Sequence, residues 1–291
     1  MKPKVMDKFG RIFSFLCALI SVLITLFIIV FIFYKGSKTF VIDKVPVGNF
    51  LFSAYWNMEE QKGQVGALAF LLGSISVSLL ALLFSLPLSL SIAIFMSEIS
   101  NKIGDNFLQP VIELFVGIPS VVYGWVGLSV LVPLIRKIFG GTGFSLLAGG
   151  IVLGIMIFPT IASISADSLR TLPRDLREAS LALGATRWQT IKYVLLPAAL
   201  PGILTGIILG LARAFGEALA VQMVIGNSVR IPDSLINPIH TLTSVLTMEM
   251  GNTTSGTLWN DALWSIALLL LIISLMFIGF IRLFAKRRVF R

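Results

Sequence analysis

Two charged residues interrupt one of the most apolar stretches of the chain: residues 212–220 read ARAFGEALA, with Arg213 and Glu217 four positions apart. A charge at the centre of a lone membrane helix costs about 2.5 to 3.5 kcal/mol, so something must compensate Arg213. On a continuous helix Glu217 falls on the same face one turn on, where the two can pair. Two chemistries are open to such a pair. It can be a structural ion pair that neutralises itself. Or it can line a path for an anion, since a guanidinium stays charged at any working pH and its fork of donors matches phosphate oxygens. On that second reading Glu217 holds Arg213 when the path is empty and opposes tight retention when it is occupied. Gly206, Gly210 and Gly216 in the same stretch permit a neighbouring helix to come close. Two other polar residues carry less. Glu113 lies near the end of an apolar run, and His240 stands on a connecting loop with no partners that would make a metal site or a triad.

These residues need a lipid-embedded frame, and the composition provides one. Of 291 residues 56% are hydrophobic and 13% charged, and the mean hydropathy is +0.95; an ordinary soluble domain is about a quarter charged. Spanning helices need roughly 20 apolar residues. Five stretches qualify: Ile12 to Tyr34, Ala67 to Met96, Leu146 to Ser165, Ala198 to Ile225 and Ala262 to Phe284. A sixth, Val111 to Ile135, qualifies despite Glu113, Pro119 and Pro133. The expected fold is an all-α integral membrane bundle of six helices. The first run is too long for a signal peptide core and is expected to remain as an anchor. Cys17 inside it is expected to be a small packing residue.

The net charge is +9, but the basic residues gather beside apolar segments, at Lys2 to Arg11, Arg170 to Lys192 and Arg282 to Arg291. That pattern orients a membrane protein and does not suit nucleic acid. The side holding these clusters carries far more Lys and Arg than the side holding Lys35, Lys38, Lys44, Lys62, Arg136, Lys137 and Arg230. Both termini are therefore expected in the cytoplasm, with segments 35–66 and 226–261 external. Neither external segment is long enough for a core of its own, and the second is expected to carry a short amphipathic helix around Ile239 to Met250. The division that follows is an N-terminal helix with its loop, 1–66, and a transmembrane domain, 67–291.

The longest internal connection, 166–197, reads ADSLRTLPRDLREASLALGATRWQTIKYVLLP and is punctuated as a helical hairpin. Pro173 opens a first helix whose early turns carry Asp175 and Glu178, favourable near the positive end of the dipole. Gly184 ends it in a left-handed turn. Thr186 and Gln189 then form a capping box that starts a second helix running to Pro197. Leu176, Ala179 and Leu183 share one face, a small apolar surface on an otherwise charged element. This surface either packs on the membrane domain or docks another protein.

The spacing of Glu178-Ala179-Ser180, Gly184, Val194 and Leu196-Pro197 resembles the EAA motif of ABC importer permeases, with Ser180 and Val194 as conservative departures. In that family the hairpin is the element that fits a groove on the ATPase subunit, which assigns coupling to Leu176, Glu178, Ala179, Leu183, Gly184 and Pro197. The segments IELFVGIPSVVYGW (112–125), LPRDLREASLALGATRWQTI (172–191) and ARAFGEALAVQMVIGN (212–227) are together similar to the PstC-type permease subunits of phosphate-specific importers, with Ala218 where that group often has Thr. The resemblance implies a type I ABC importer permease fold in a bacterial or archaeal cytoplasmic membrane. It also implies inorganic phosphate as the substrate and Arg213 and Glu217 in its path. The implied partners are a PstA-like permease, a PstB-like ATPase dimer that binds ATP and Mg, and a PstS-like phosphate-binding protein.

The chain has no G-x-x-x-x-G-K-[ST] loop to hydrolyse ATP itself, and no cofactor is expected on it. GGTGFS (140–145) is a turn. Three rivals remain at this level: an ABC permease for another solute or oxyanion, an intramembrane hydrolase, which lone His240 disfavours, and a secondary transporter needing no ATPase.

Overall fold

The computed structural model describes residues 3–57 and 64–286. Basic residues Lys2, Lys62, Arg287, Arg288 and Arg291, used above for orientation, lie outside it. Six helices among the described residues are long and apolar enough to cross a membrane: Gly10–Val41, Leu68–Ile99, Ser120–Phe139, Leu146–Arg170, Arg187–Gly216 and Leu258–Phe280. They are called the first to sixth spans below.

The fourth span is the centre of the bundle: 61% of its most apolar window is buried, against none of the first span's. Second and fourth spans meet through small residues. A Cβ on Gly150 would lie 2.6 Å from the Leu80 side chain, so only glycine allows this approach. The fifth span uses the same device, with Gly210 against Ile161 of the fourth. Gly216, expected to do likewise, faces open space. Ala81, Leu153, Met156, Ile157, Ile161, Val224 and Ile225 form the resulting core. Cys17, expected to be a small packing residue, is exposed on the first span. That span exposes nearly all of its side chains, Phe13, Phe15 and Phe27 among them, as a helix solvated by lipid does. It is held at one end, where Phe31 meets the Trp264 ring edge-on at 5.3 Å and Ser265 Oγ lies 2.7 Å from the Gly36 carbonyl.

Two spans depart from the hydropathy reading. The third was expected as one run from Val111 to Ile135, but the chain forms a helix at Gln109–Gly117 and goes extended through Ile118 and Pro119. It restarts at Ser120 and runs to Phe139. Pro119 lacks an N–H and drives the residue before it out of the α region, which breaks the helix there. Glu113 thus lies before the span, accepting a hydrogen bond from Gln109 Nε2 at 3.0 Å. The fifth was expected to reach Ile225 and ends at Gly216, where Glu217 turns extended (φ −75°, ψ 124°). Glycine favours such an exit. The Glu217 carboxylate accepts from the Ala220 N–H at 3.1 Å and so satisfies an open donor of the short helix Leu219–Gln222.

Among the described residues four places wind as π-helix: Phe95–Ile99, Gly104–Leu108, Gly127–Leu131 and Ile191–Leu195. At the end of the molecule opposite the 166–197 hairpin, the loops before the second and sixth spans share one core. Phe50, Val65 and Phe70 pack with Leu242, Val245 and Leu263. The expected amphipathic helix is present as Leu242–Glu249, started by a capping box of Thr241 and Ser244. His240 corrects its reading as an isolated loop residue. It is 3% exposed, its Nδ1 is 2.7 Å from Ser244 Oγ, and its ring stands edge-on to Phe70. Burial lowers its pKa from 6.5 to about 4.

Candidate functional site: a buried arginine and a docking hairpin

Arg213 sits half-buried near the end of the fifth span. Its Nη1 donates to Thr160 Oγ1 of the fourth span at 3.2 Å. On the third span the Tyr123 hydroxyl donates to the Phe115 carbonyl at 2.7 Å across the break at Pro119. That bond satisfies a carbonyl freed by the broken helix, as an apolar surrounding demands. The expected pairing with Glu217 is not made. Because the helix ends between them, the i to i+4 geometry does not exist, and Glu217 spends its carboxylate on the Ala220 N–H and its carbonyl on Thr243 Oγ1 at 2.8 Å. Among the described residues no carboxylate forms an ion pair with Arg213. Glu217 instead borders a cavity of about 10 Å³ with Ser74, Ser78, Thr241 and Thr243, room for about one water.

The hairpin follows its sequence closely. Helix Arg174–Ala182 begins after Pro173, Gly184 adopts φ +83°, and Thr186 and Gln189 complete the capping box. Ser180 and Thr190 hydroxyls, 3.0 Å apart, tie its two arms together. Leu176, Glu178, Ala179, Leu183 and Gly184 are all exposed, Leu183 at 89%, and Leu181 and Trp188 stand exposed beside them. An apolar surface this open on a charged element suits a docking partner better than the membrane domain. Pro197 is exposed in the first turn of the helix that continues as the fifth span. Lacking an N–H, it cannot close the α ladder, and just before it the ladder widens so that Leu196 N–H reaches the Ile191 carbonyl.

Sequence reasoning missed what fastens the hairpin to the bundle. Glu98, at the end of the second span and 7% exposed at its side chain, takes a two-pronged bond from Arg177: Nη2 to Oε1 at 2.6 Å and Nε to Oε2 at 3.0 Å. Arg177 also donates to the carbonyls of Leu172 (3.0 Å) and Leu169 (2.9 Å), and Arg187 Nη2 donates to the Glu98 carbonyl. The carboxylate holds the Arg177 charge in place and raises its pKa further. This cluster walls a cavity of about 840 Å³ together with Glu178, Thr190 and Leu195. The partners are 79 residues apart, and the one sequence signal was an acid closing the apolar run in FMSEIS.

A six-span bundle with an exposed apolar hairpin and a half-buried cation is the frame of a membrane transport component. The comparisons agree. The model of the family "Binding-protein-dependent transport system inner membrane component" matches residues 85–290, and the chain belongs to that family. It is thus the multi-pass inner-membrane permease component of an ABC importer, and its role is that of a transport subunit, not an enzyme. The probable ABC transporter permease protein YqgH of Bacillus subtilis (strain 168) is 51% identical over 280 residues, covering 96% of this chain and 91% of that one. The phosphate transport system permease protein PstC of Haemophilus influenzae is 33% identical over 249 residues, covering 79% and 78%. Among solved structures, a bacterial alginate ABC transporter in complex with an alginate pentasaccharide-bound periplasmic protein superposes with a TM-score of 0.64. It does so at 16% identity, over 98% of this chain and 96% of that one. An inward-facing MetNI methionine ABC transporter gives 0.53 at 22% identity, over 75% and 94%. These two likenesses concern the fold.

Proposed function

We propose that this chain is a PstC-type subunit that carries inorganic phosphate inward through a path containing Arg213, with Glu217 beside the path as a capping and hydrogen-bonding group. Arg213 carries the reading: a half-buried guanidinium between spans, tied to the neutral Thr160 and with no ion-pair partner among the described residues, has donors and charge free for an anion. The likeness to proteins named as phosphate permeases supports the same choice. On this reading the hairpin faces the cytoplasm and docks a PstB-like ATPase dimer that binds ATP and Mg. A PstA-like permease completes the path, and a PstS-like protein delivers phosphate from outside.

The test is uptake of labelled phosphate by cells lacking other phosphate importers, with subunit abundance measured in parallel. Arg213→Gln should lower uptake about a hundredfold, the cost of a charge-assisted hydrogen bond lost to the anion. Because Arg213 and Glu217 are not paired, Arg213→Gln combined with Glu217→Gln should show no rescue. Wild-type uptake by either variant at normal abundance overturns the path. Wild-type uptake of another oxyanion in preference to phosphate replaces the substrate.

A further inference from the structure

We infer that Glu98 and Arg177 are positioning residues for coupling: their fork makes the hairpin and the inner end of the second span one mechanical body. The hairpin is joined covalently only to the fourth and fifth spans. Three observations tie it to the second as well. The fork is two-pronged, 2.6 and 3.0 Å, around a carboxylate 7% exposed. The same guanidinium reaches back to the carbonyls of Leu169 and Leu172, which fixes where the fourth span ends and the hairpin begins. Arg187, from the second arm, binds the Glu98 and Ile99 carbonyls, so both arms grip one turn of the second span. That turn is the π-wound Phe95–Ile99 at the end of the span, where the last carbonyls of a helix lack partners in its own ladder. A push on the exposed hairpin surface therefore reaches the second span directly, and through its close contact with the fourth span it reaches the core that holds Thr160 and Arg213.

This inference rests on the reading of the hairpin as the coupling element, and the experiment separates the two. The complete complex is reconstituted in liposomes, with Cys17→Ser as background. Spin labels at Ser91→Cys in the second span and Asp175→Cys in the hairpin report the distance between them with and without ATP and vanadate. That distance should stay fixed in the background protein and shift on nucleotide in Glu98→Gln. Phosphate moved per ATP hydrolysed should fall about tenfold or more in Glu98→Gln, within the usual range of coupling between sites, and fall less in Arg177→Lys, which keeps the charge and loses the fork. If Glu98→Gln does not assemble, Arg177→Lys carries the same comparison. A fixed distance and an unchanged ratio in the variants overturn the inference, even where Gly184→Val, strained at φ +83°, still uncouples the complex. If Gly184→Val leaves transport and ATP hydrolysis intact, the coupling role of the hairpin itself falls.

Discussion

The two ends of the bundle are fastened by different chemistry. At the hairpin end the tie is ionic, with Glu98, Arg177 and Arg187 linking the second span to a hairpin that otherwise leaves its apolar residues exposed. At the opposite end no ion pair is needed among the described residues: the Glu249 carboxylate accepts from Trp56 and Trp259 Nε1, both at 3.0 Å, Ser74 Oγ accepts the Leu242 N–H, and Ser244 Oγ bonds both Thr241 and His240. Ser265 holds Gly36 and Thr39. At that end the two loops also share an apolar core. A two-pronged guanidinium–carboxylate bond fixes both the distance and the angle between the bodies it joins. A satisfied hydrogen-bond network in an apolar core rigidifies the elements around it. The hairpin end is joined to the second span through charge, and the other end through packing and hydrogen bonds around a shared core.

Three experiments can break that contrast. The largest effect is expected from Glu98→Ala, which leaves the partly exposed Arg177 with only its two carbonyl acceptors and should cost about 2 to 3 kcal/mol of stability, read as earlier thermal unfolding in nanodiscs. A loss under about 1 kcal/mol would make the ionic tie no stronger than a surface pair. The next concerns pH. The His240 pKa is lowered from 6.5 to about 4 in the folded protein, so below pH 6.5 the unfolded chain binds a proton the folded one refuses. Stability contributed by neutral His240 is complete above about 6.5 and lost progressively as pH falls toward 4, by about 3 kcal/mol in all. Unfolding midpoints at pH 7 and pH 5 should differ in wild type, and the difference should shrink in His240→Gln. An undiminished difference would place the acid sensitivity elsewhere. The smallest effect is expected from Ser265→Ala, about 1 kcal/mol for a neutral hydrogen bond, again by thermal unfolding. A cost matching that of Glu98→Ala would erase the distinction between the ends.

What the sequence made legible was local. Length and hydropathy located all six spans, because lipid demands long apolar runs. The hairpin was readable because Pro173, Gly184, Thr186 and Gln189 act through their own backbone, and each took its expected place. The errors came where a local signal was outvoted. Pro119 was visible, but the apolar run around it was read as one helix. Gly216 was read as a contact residue, not a terminus, and that false continuity produced the Arg213–Glu217 pair. The Glu98–Arg177 fork and the burial of His240 were not local at all. They depend on which elements the fold brings together, and a single sequence carries no periodicity that reports it.

The π-wound turn at Ile191–Leu195 has a consequence for length variation in this chain. A π turn holds one residue more than an α turn, so it behaves as an insertion absorbed without breaking the helix. Deleting one residue there would return the segment to an α ladder with its flanks close to their present faces, whereas deleting one from the regular turn Arg187–Thr190 would rotate everything before it about 100° around the fifth span's axis. Leu176, Leu181 and Leu183 would then point along a different meridian, and Arg187 would swing away from the second span. The hairpin's aim is therefore tolerant of losing one residue inside Ile191–Leu195 and sensitive to losing one in the regular turn before it.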